Sequence, residues 1–289
     1  MPVANFFWAL SPISLYDEFC IRSFVKNGFN VNLYSYDKKI NIDGVDVLDA
    51  NEIINIKEID KYNFSGYKKS PFSGLSNEFR YKLMRDKKGW WFDTDVFCLA
   101  NVNQFVNLDT NNTKFIAGFE KDRSVNVAVL KINDEKIIHD LLSELKFKKK
   151  KLNWGDLGPK LFTDVLIKNN SINEAKQKNL FYSINYENFM LPLLPSKNLD
   201  TKNLLRNSLV CHLYNEIQKR HGIPKNIPPP KGSFLYEKFQ EIEPELERFE
   251  KFCLPQHTAE ILLKVRINSS IKEDISNLIF NFKKKWRPD

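Results

Sequence analysis

Cysteine is scarce and scattered. Cys20, Cys98, Cys211 and Cys253 are spread over 289 residues without any C-x-x-C spacing. That argues against a zinc ribbon and a disulfide-stapled scaffold, and leaves small core residues suited to a reducing compartment. The opening MPVANFFWALSPISLYDEF lacks both a basic n-region and a long apolar run. It reads as neither a signal peptide nor a membrane span, so the expected location is the cytoplasm. No G-x-G-x-x-G and no Walker A pattern occurs, which removes the usual dinucleotide and P-loop sites. No internal repeat is visible. Acidic residues are outnumbered, 36 against 44 basic, for a net charge of +8. An anionic partner is favoured, whether nucleotide phosphates, a membrane surface or nucleic acid.

What is present is globular. Hydrophobic residues make up 42% of the chain, enough for one large domain or two small ones. Phe6–Trp8 reads as a strand, 14–27 as a helix stopped by Gly28, and 31–36 as a second strand. This βαβ opening favours nucleotide binding at the carboxyl ends of parallel strands. Further strands are expected at 45–48, 114–119, 124–131, 181–184 and 209–213, and helices at 133–147 and from Pro159 to Lys168. PKNIPPPKG, 224–232, is a stiff loop that neither a helix nor a central strand accepts. Beyond Phe239 the composition shifts to acidic and then basic helices. Domains are therefore expected at 1–240 and 241–289, the second a helical extension ending in KKKWR. That basic, tryptophan-bearing end suits either packing on the domain or a peripheral membrane contact.

The chain is organised around PFSGLSNEFRYKLMRDKKGWWFDTDVFCL. It reads as a helix with Ser76 as its N-cap, a left-handed Gly89, and the apolar strand Trp90–Phe92. Asp93 and Asp95 follow. On an extended strand they share a face. Two carboxylates that close repel, and a hard divalent cation resolves the conflict while leaving positions for a diphosphate. The structural alternative is a turn at Thr94 with both aspartates solvated. Asp156 and Asn126 are polar candidates near a sugar, or else a helix cap and a strand-end residue. Arg80 and Lys231 are candidate fixed positive charges.

Four blocks in order carry a resemblance: FFWALSPISLYDEFCIRSFVKNGFNVNLYSYD, FSGLSNEFRYKLMRDKKGWWFDTDVFCL, WGDLGPKLFTDVL and HLYNEIQKRHGIPKNIPPPKGSFL. Over roughly Phe6–Phe239 the chain resembles bacterial family 32-type glycosyltransferases with an Asp-x-Asp sugar-binding region. These include capsular polysaccharide and lipooligosaccharide transferases. Globotriaosylceramide synthase and the glucosylating clostridial toxins are distant relatives. The resemblance implies an α/β, GT-A-type fold with a mainly parallel central sheet flanked by helices. It also implies a nucleotide-sugar donor, Mn2+ or Mg2+, and retention of anomeric configuration. Asp93 and Asp95 match the metal pair, and Arg80 the helix arginine that meets the donor. Asn77 stands where the family has Asp. Trp8 matches an aromatic near the base, followed here by Ala9 and Leu10 instead of glycines. His212 matches a histidine of an H-x-W-N-like block, with Tyr214 in the Trp place, and would complete the metal shell or bind diphosphate. Lys231 and Ser233 are candidate donor contacts at the end of the proline loop, which either closes over the donor as a lid or plainly connects to the last helices.

The expected activity is metal-dependent, retaining transfer of a hexose, UDP-galactose or a related UDP-sugar being the donor. The acceptor is a cell-surface glycan or lipid-linked saccharide. Two rivals come from other classes. A haloacid-dehalogenase-like phosphohydrolase needs its Asp-x-Asp near the N-terminus and a small hydroxyl residue where Phe97 stands. A nucleic-acid-binding module needs a basic motif, whereas the basic residues gather only at 146–151 and 283–287.

Overall fold

The computed structural model describes residues 1–10, 12–62, 72–86, 89–121, 123–148, 156–246, 260–261 and 263–264. In chain order these form β1 (Val3–Phe7), α1 (Leu15–Lys26), β2 (Asn30–Ser35), β3 (Val45–Asp49), α2 (Phe72–Arg85), β4 (Trp90–Phe92), β5 (Val96–Cys98) and α3 (Val102–Val106). There follow β6 (Phe115–Lys121), β7 (Ser124–Ile132), α4 (Glu135–Lys148), α5 (Pro159–Lys168), α6 (Asn198–Leu205), β8 (Val210–His212), α7 (Asn215–Arg220) and α8 (Phe234–Ile242). The expected basic cluster at 146–151, the segment around Trp154, and the C-terminal helix with its KKKWR end lie wholly or largely outside the described residues. No described helix is long and apolar enough to cross a membrane.

Six strands form one sheet in the order β3-β2-β1-β4-β7-β6. β1, β2, β3 and β4 pair in parallel; β7 runs antiparallel to β4 and to β6. The sheet is thus mainly parallel, with β7 reversed, and helices pack on both faces. This is the α/β architecture the sequence led us to expect. β5 and β8 form a separate antiparallel pair, with Val96 opposite His212.

β4 shows why so short a strand can sit centrally. Successive side chains point to opposite faces. Trp91 enters the core with Phe7, Phe79 and Leu83, while Trp90 and Phe92 enter the other with Phe6, Phe24 and Phe105. All three are buried, and full burial of a large apolar side chain is worth about 1.5–3 kcal/mol. Such packing offsets the poor yield of ladder bonds from three residues.

Several local expectations need correction. α2 starts at Phe72, so Ser76 lies inside the helix and is not its cap. Leu75 and Phe79 already share the buried face, which carries the helix back past the hydroxyl. Gly89 does adopt positive φ, +100°, but α2 has ended by Arg85 and Gly89 is no C′ residue. Its constraint is a close crossing: a Cβ there would lie 2.6 Å from the Val3 carbonyl oxygen. Residues 181–184 form no strand; a 3-10 turn, Lys178–Leu180, precedes them.

The chain divides into two compact units. One comprises Met1–Asn185 with Leu204–His212, and contains both sheets; the other comprises Tyr186–Asn203 and the chain from Leu213. In the second unit, Asn198 Nδ2 donates to the Gly232 carbonyl (2.8 Å) and to Glu237 (2.7 Å), so that α6 is tied to the start of α8. Glu237 also pairs with Lys202 at 2.6 Å.

Candidate active site

The Asp93–Asp95 segment lies where β4 leaves the sheet. The Asp93 N–H keeps a last bond to the Ala128 carbonyl of β7 (2.8 Å), and the Val96 N–H closes a turn on the Asp93 carbonyl (3.0 Å). The two carboxylates are therefore carried by a turn and not by an extended strand. Neither is fully solvated.

Asp93 faces α2. Its Oδ1 accepts from Arg80 Nη2 at 2.6 Å and from Trp91 Nε1 at 2.7 Å. Arg80 is buried, its side chain 4% exposed against 32% for Asp93. Its guanidinium lies over the Trp91 ring, 4.9 Å from the centroid, which adds cation–π attraction. The other arm, Nη1, donates to Asn77 Oδ1 at 2.7 Å. Asn77 Nδ2 donates in turn to the Ser73 carbonyl at 2.9 Å, which settles which way the amide faces. Residues 77 and 80 do share a helix face, as three-residue spacing requires. Only Oδ1 of Asp93 is engaged by this cluster.

Asp95 faces β8. Its Oδ1 lies 3.4 Å from His212 Nε2, with both side chains about nine-tenths enclosed. Burial alone would pull the imidazole pKa down; the neighbouring Asp95 carboxylate, aided by Glu120 and Asp93, more than offsets it, and the pKa is raised above 6.5. The Tyr182 ring meets His212 edge-on at 5.8 Å.

The remaining candidates are distributed. Asn126, in β7, donates to Glu120 at 2.8 Å and accepts at 2.7 Å from the N–H of Ala128, the residue whose carbonyl anchors Asp93. Trp8 follows β1; its backbone N–H meets the Tyr34 carbonyl at 3.0 Å, and its indole N–H is buried with no hydrogen-bond partner among the described residues. Asp156 lies in the turn before α5, a segment fastened to α2 by the Tyr81 hydroxyl donating to the Leu157 carbonyl at 3.0 Å. Lys231 and Ser233 belong to the second unit. Lys231 is exposed, and Ser233 is the buried N-cap of α8, accepting from the Tyr236 N–H at 3.2 Å.

Sequence reading passed over two members of this region. Glu120 is the next-to-last residue of β6, and a charge following an apolar run was the available signal. Asp17 is fully buried on α1 and bonds Thr94 in the aspartate turn. Its signal was the capping pattern Ser14-x-x-Asp17.

Among the described residues no three His, Cys, Asp or Glu side chains gather as a ready-made metal cluster. The chemistry of the donor set nonetheless fits a hard divalent ion. Asp95 and His212 face each other, and the second oxygen of Asp93 is not taken by Arg80 or Trp91.

Residues 132–229 match the family described as "Alpha 1,4-glycosyltransferase conserved region". The matched stretch contains Asp156 and His212 and begins after Asp93 and Asp95. No curated protein matches the chain. Among solved structures it is similar to the PaToxG glycosyltransferase (11% identity, TM-score 0.44, 83% of this chain and 87% of that one). It is similar to the galactosyltransferase LgtC crystallised with donor and acceptor sugar analogues (11%, 0.45, 84% and 95%). It is also similar to the glycosyltransferase GlyE of Streptococcus pneumoniae TIGR4 (15%, 0.46, 95% and 64%).

About a third of the chain thus carries a glycosyltransferase conserved region, on an α/β fold with a mainly parallel sheet.

Proposed function

We propose that the chain is a metal-dependent, retaining glycosyltransferase that moves a hexose from a UDP-sugar, UDP-galactose foremost, to a cell-surface glycan or lipid-linked saccharide. The observation that carries the reading is the aspartate turn at the carboxyl end of the central strand β4, with Arg80 on one side and His212 on the other. Asp95, His212 and the second oxygen of Asp93 would hold Mn2+ or Mg2+. Such an ion, when bound, stabilises the negative charge that develops on the departing diphosphate.

The chain's own residues do the rest. Arg80 is a fixed, buried cation whose position is set by Asn77, Asp93 and Trp91, so it stabilises developing charge without reorganising. Asn77 presents a neutral amide and leaves Asp93 as the one carboxylate bonded to Arg80. The Trp8 indole supplies a face and an N–H for a base. Asp156 and Asn126 stand as polar contacts to the sugar, and Lys231 and Ser233 as donor contacts of the closing loop. The acceptor hydroxyl attacks C1 from the face the nucleotide leaves, a diphosphate oxygen takes its proton, and the C1–O bond to the diphosphate breaks. No side-chain nucleophile is invoked.

The reading also includes work on the cytoplasmic face of a membrane, with peripheral contact through the basic C-terminal run. A screen of nucleotide sugars for hydrolysis, with and without Mn2+, tests it. UDP release from a UDP-hexose should require the metal, and Asp95→Asn should lower it by about a hundredfold or more. Equal turnover with chelator would remove the metal from the proposal.

A further inference from the structure

Asp17 is fully buried, yet it belongs to the first turn of a helix, where a carboxylate ordinarily faces water. Local capping explains part of this. Ser14 is the N-cap of α1; its hydroxyl accepts from the Asp17 N–H at 3.2 Å and donates to Asp17 Oδ2. Capping does not explain the other oxygen. Asp17 Oδ1 accepts from the hydroxyl of Thr94, 77 residues away, at 2.8 Å.

Thr94 is the residue between the two aspartates. Besides the contacts of the two carboxylates, three bonds hold the turn's course: Asp93 N–H to Ala128, Val96 N–H to Asp93, and Thr94 Oγ1 to Asp17. The first two use backbone alone and do not depend on the side chain at 94. The third does. Its base is rigid, because α1 is clipped to β5 on the far side of the turn. The Cys98 N–H donates to Ser23 Oγ at 2.7 Å and Asn27 Nδ2 to the Cys98 carbonyl at 3.2 Å.

We propose that Asp17, acting through the Thr94 hydroxyl, is a positioning residue that fixes the Asp93–Asp95 turn so that both carboxylates are presented to the metal. The inference rests on the metal-dependent reading above and names a side chain on an element that carries no ligand. Ligands of a metal site need supporting partners to hold their orientation, and loss of such a partner typically weakens metal affinity about 10–100-fold.

The test is Mn2+ binding to the full chain by isothermal titration, without donor, beside kcat and KM for UDP-sugar hydrolysis. Thr94→Val keeps the shape and removes the hydroxyl. It should raise the Mn2+ dissociation constant about tenfold or more, while Thr94→Ser stays within about twofold of wild type. Asp17→Ala should reproduce the loss, and the double variant should be no worse than either single one, since both remove the same bond. Ile21→Val supplies a control on the same helix, trimming the core without touching a turn hydrogen bond. If Thr94→Val does not fold, Thr94→Ala is read in its place. An unchanged Mn2+ constant in Thr94→Val, or in Thr94→Ala where it stands in, or an equal rise in Ile21→Val, overturns the positioning role while the metal reading stands. Wild type that fails to bind Mn2+ removes both.

Discussion

Arg80 and Asp93, thirteen positions apart, meet at 2.6 Å, and the arginine is almost wholly enclosed. The pair joins α2 to the exit of β4. It also settles how Asp93 is oriented, since the same oxygen accepts from the indole of the preceding strand. Arg80 is thus a brace for one of the aspartates, and in the proposed function it is also a cation for the donor.

Arg80→Lys separates these parts. Lysine keeps the charge but not the planar fork that reaches Asn77 and Asp93 together. We expect kcat/KM for UDP-sugar hydrolysis to fall by about a hundredfold, roughly 2.7 kcal/mol of transition-state stabilisation. Thermal stability should drop by about 1–2 kcal/mol, because a buried charged hydrogen bond is lost beside a partly exposed partner. Steady-state kinetics and a denaturant curve check both. Retention of wild-type kcat/KM would leave Arg80 a structural residue alone.

Asn77→Asp restores the charge that the resemblance leads one to expect. It would place a second carboxylate on Arg80, beside Asp93. More of the guanidinium charge is then neutralised within the protein and less acts on the donor. We expect the ranking of donors to change while the Mn2+ constant moves by no more than about twofold. Competition between paired UDP-sugars measures the first, and titration the second. Identical relative rates across donors count against a donor role for position 77.

Gly158→Ala probes the same cluster from the other side. A Cβ at 158 would lie 2.9 Å from Asn77 Oδ1, an atom held by its bond to Arg80 while the amide nitrogen holds Ser73. The cost should therefore be steric and local, about 1 kcal/mol, and should shrink when Asn77 is shortened to Ser in the same chain. A double-mutant cycle on melting curves reads this directly. Additive losses would show that Asn77 is not the group displaced.

The βαβ opening, the buried WWF strand and the late strand bearing His212 were legible because each has a strong local pattern. Hydrophobic alternation and a glycine stop say where the chain turns. The start of α2 was misread because Ser76 is a good cap in isolation, yet Leu75 and Phe79 had a core to enter that only the folded chain supplies. The aspartate turn was misread for a related reason. Two carboxylates after an apolar run look like a continuing strand, whereas the chain must leave the sheet there to pair β5 with β8. Asp17 was readable as a cap but not as a partner of Thr94, since no spacing rule connects residues 77 apart.

Ser233→Ala separates two accounts of one hydroxyl. Ser233 is buried as the N-cap of α8 and accepts from the Tyr236 N–H. Replacing a serine cap by alanine costs about 1 kcal/mol of stability. A cap role alone predicts that loss with an unchanged KM for the UDP-sugar. The donor contact proposed for the same residue predicts a KM raised about threefold or more, since one neutral hydrogen bond is worth about 0.5–1.5 kcal/mol. Ser233→Asp keeps a capping oxygen but adds negative charge. It should therefore hold the melting temperature and raise KM further if the donor lies there. A KM that stays flat in both variants assigns Ser233 to the helix and removes it from the donor site, leaving Lys231 as the loop's candidate.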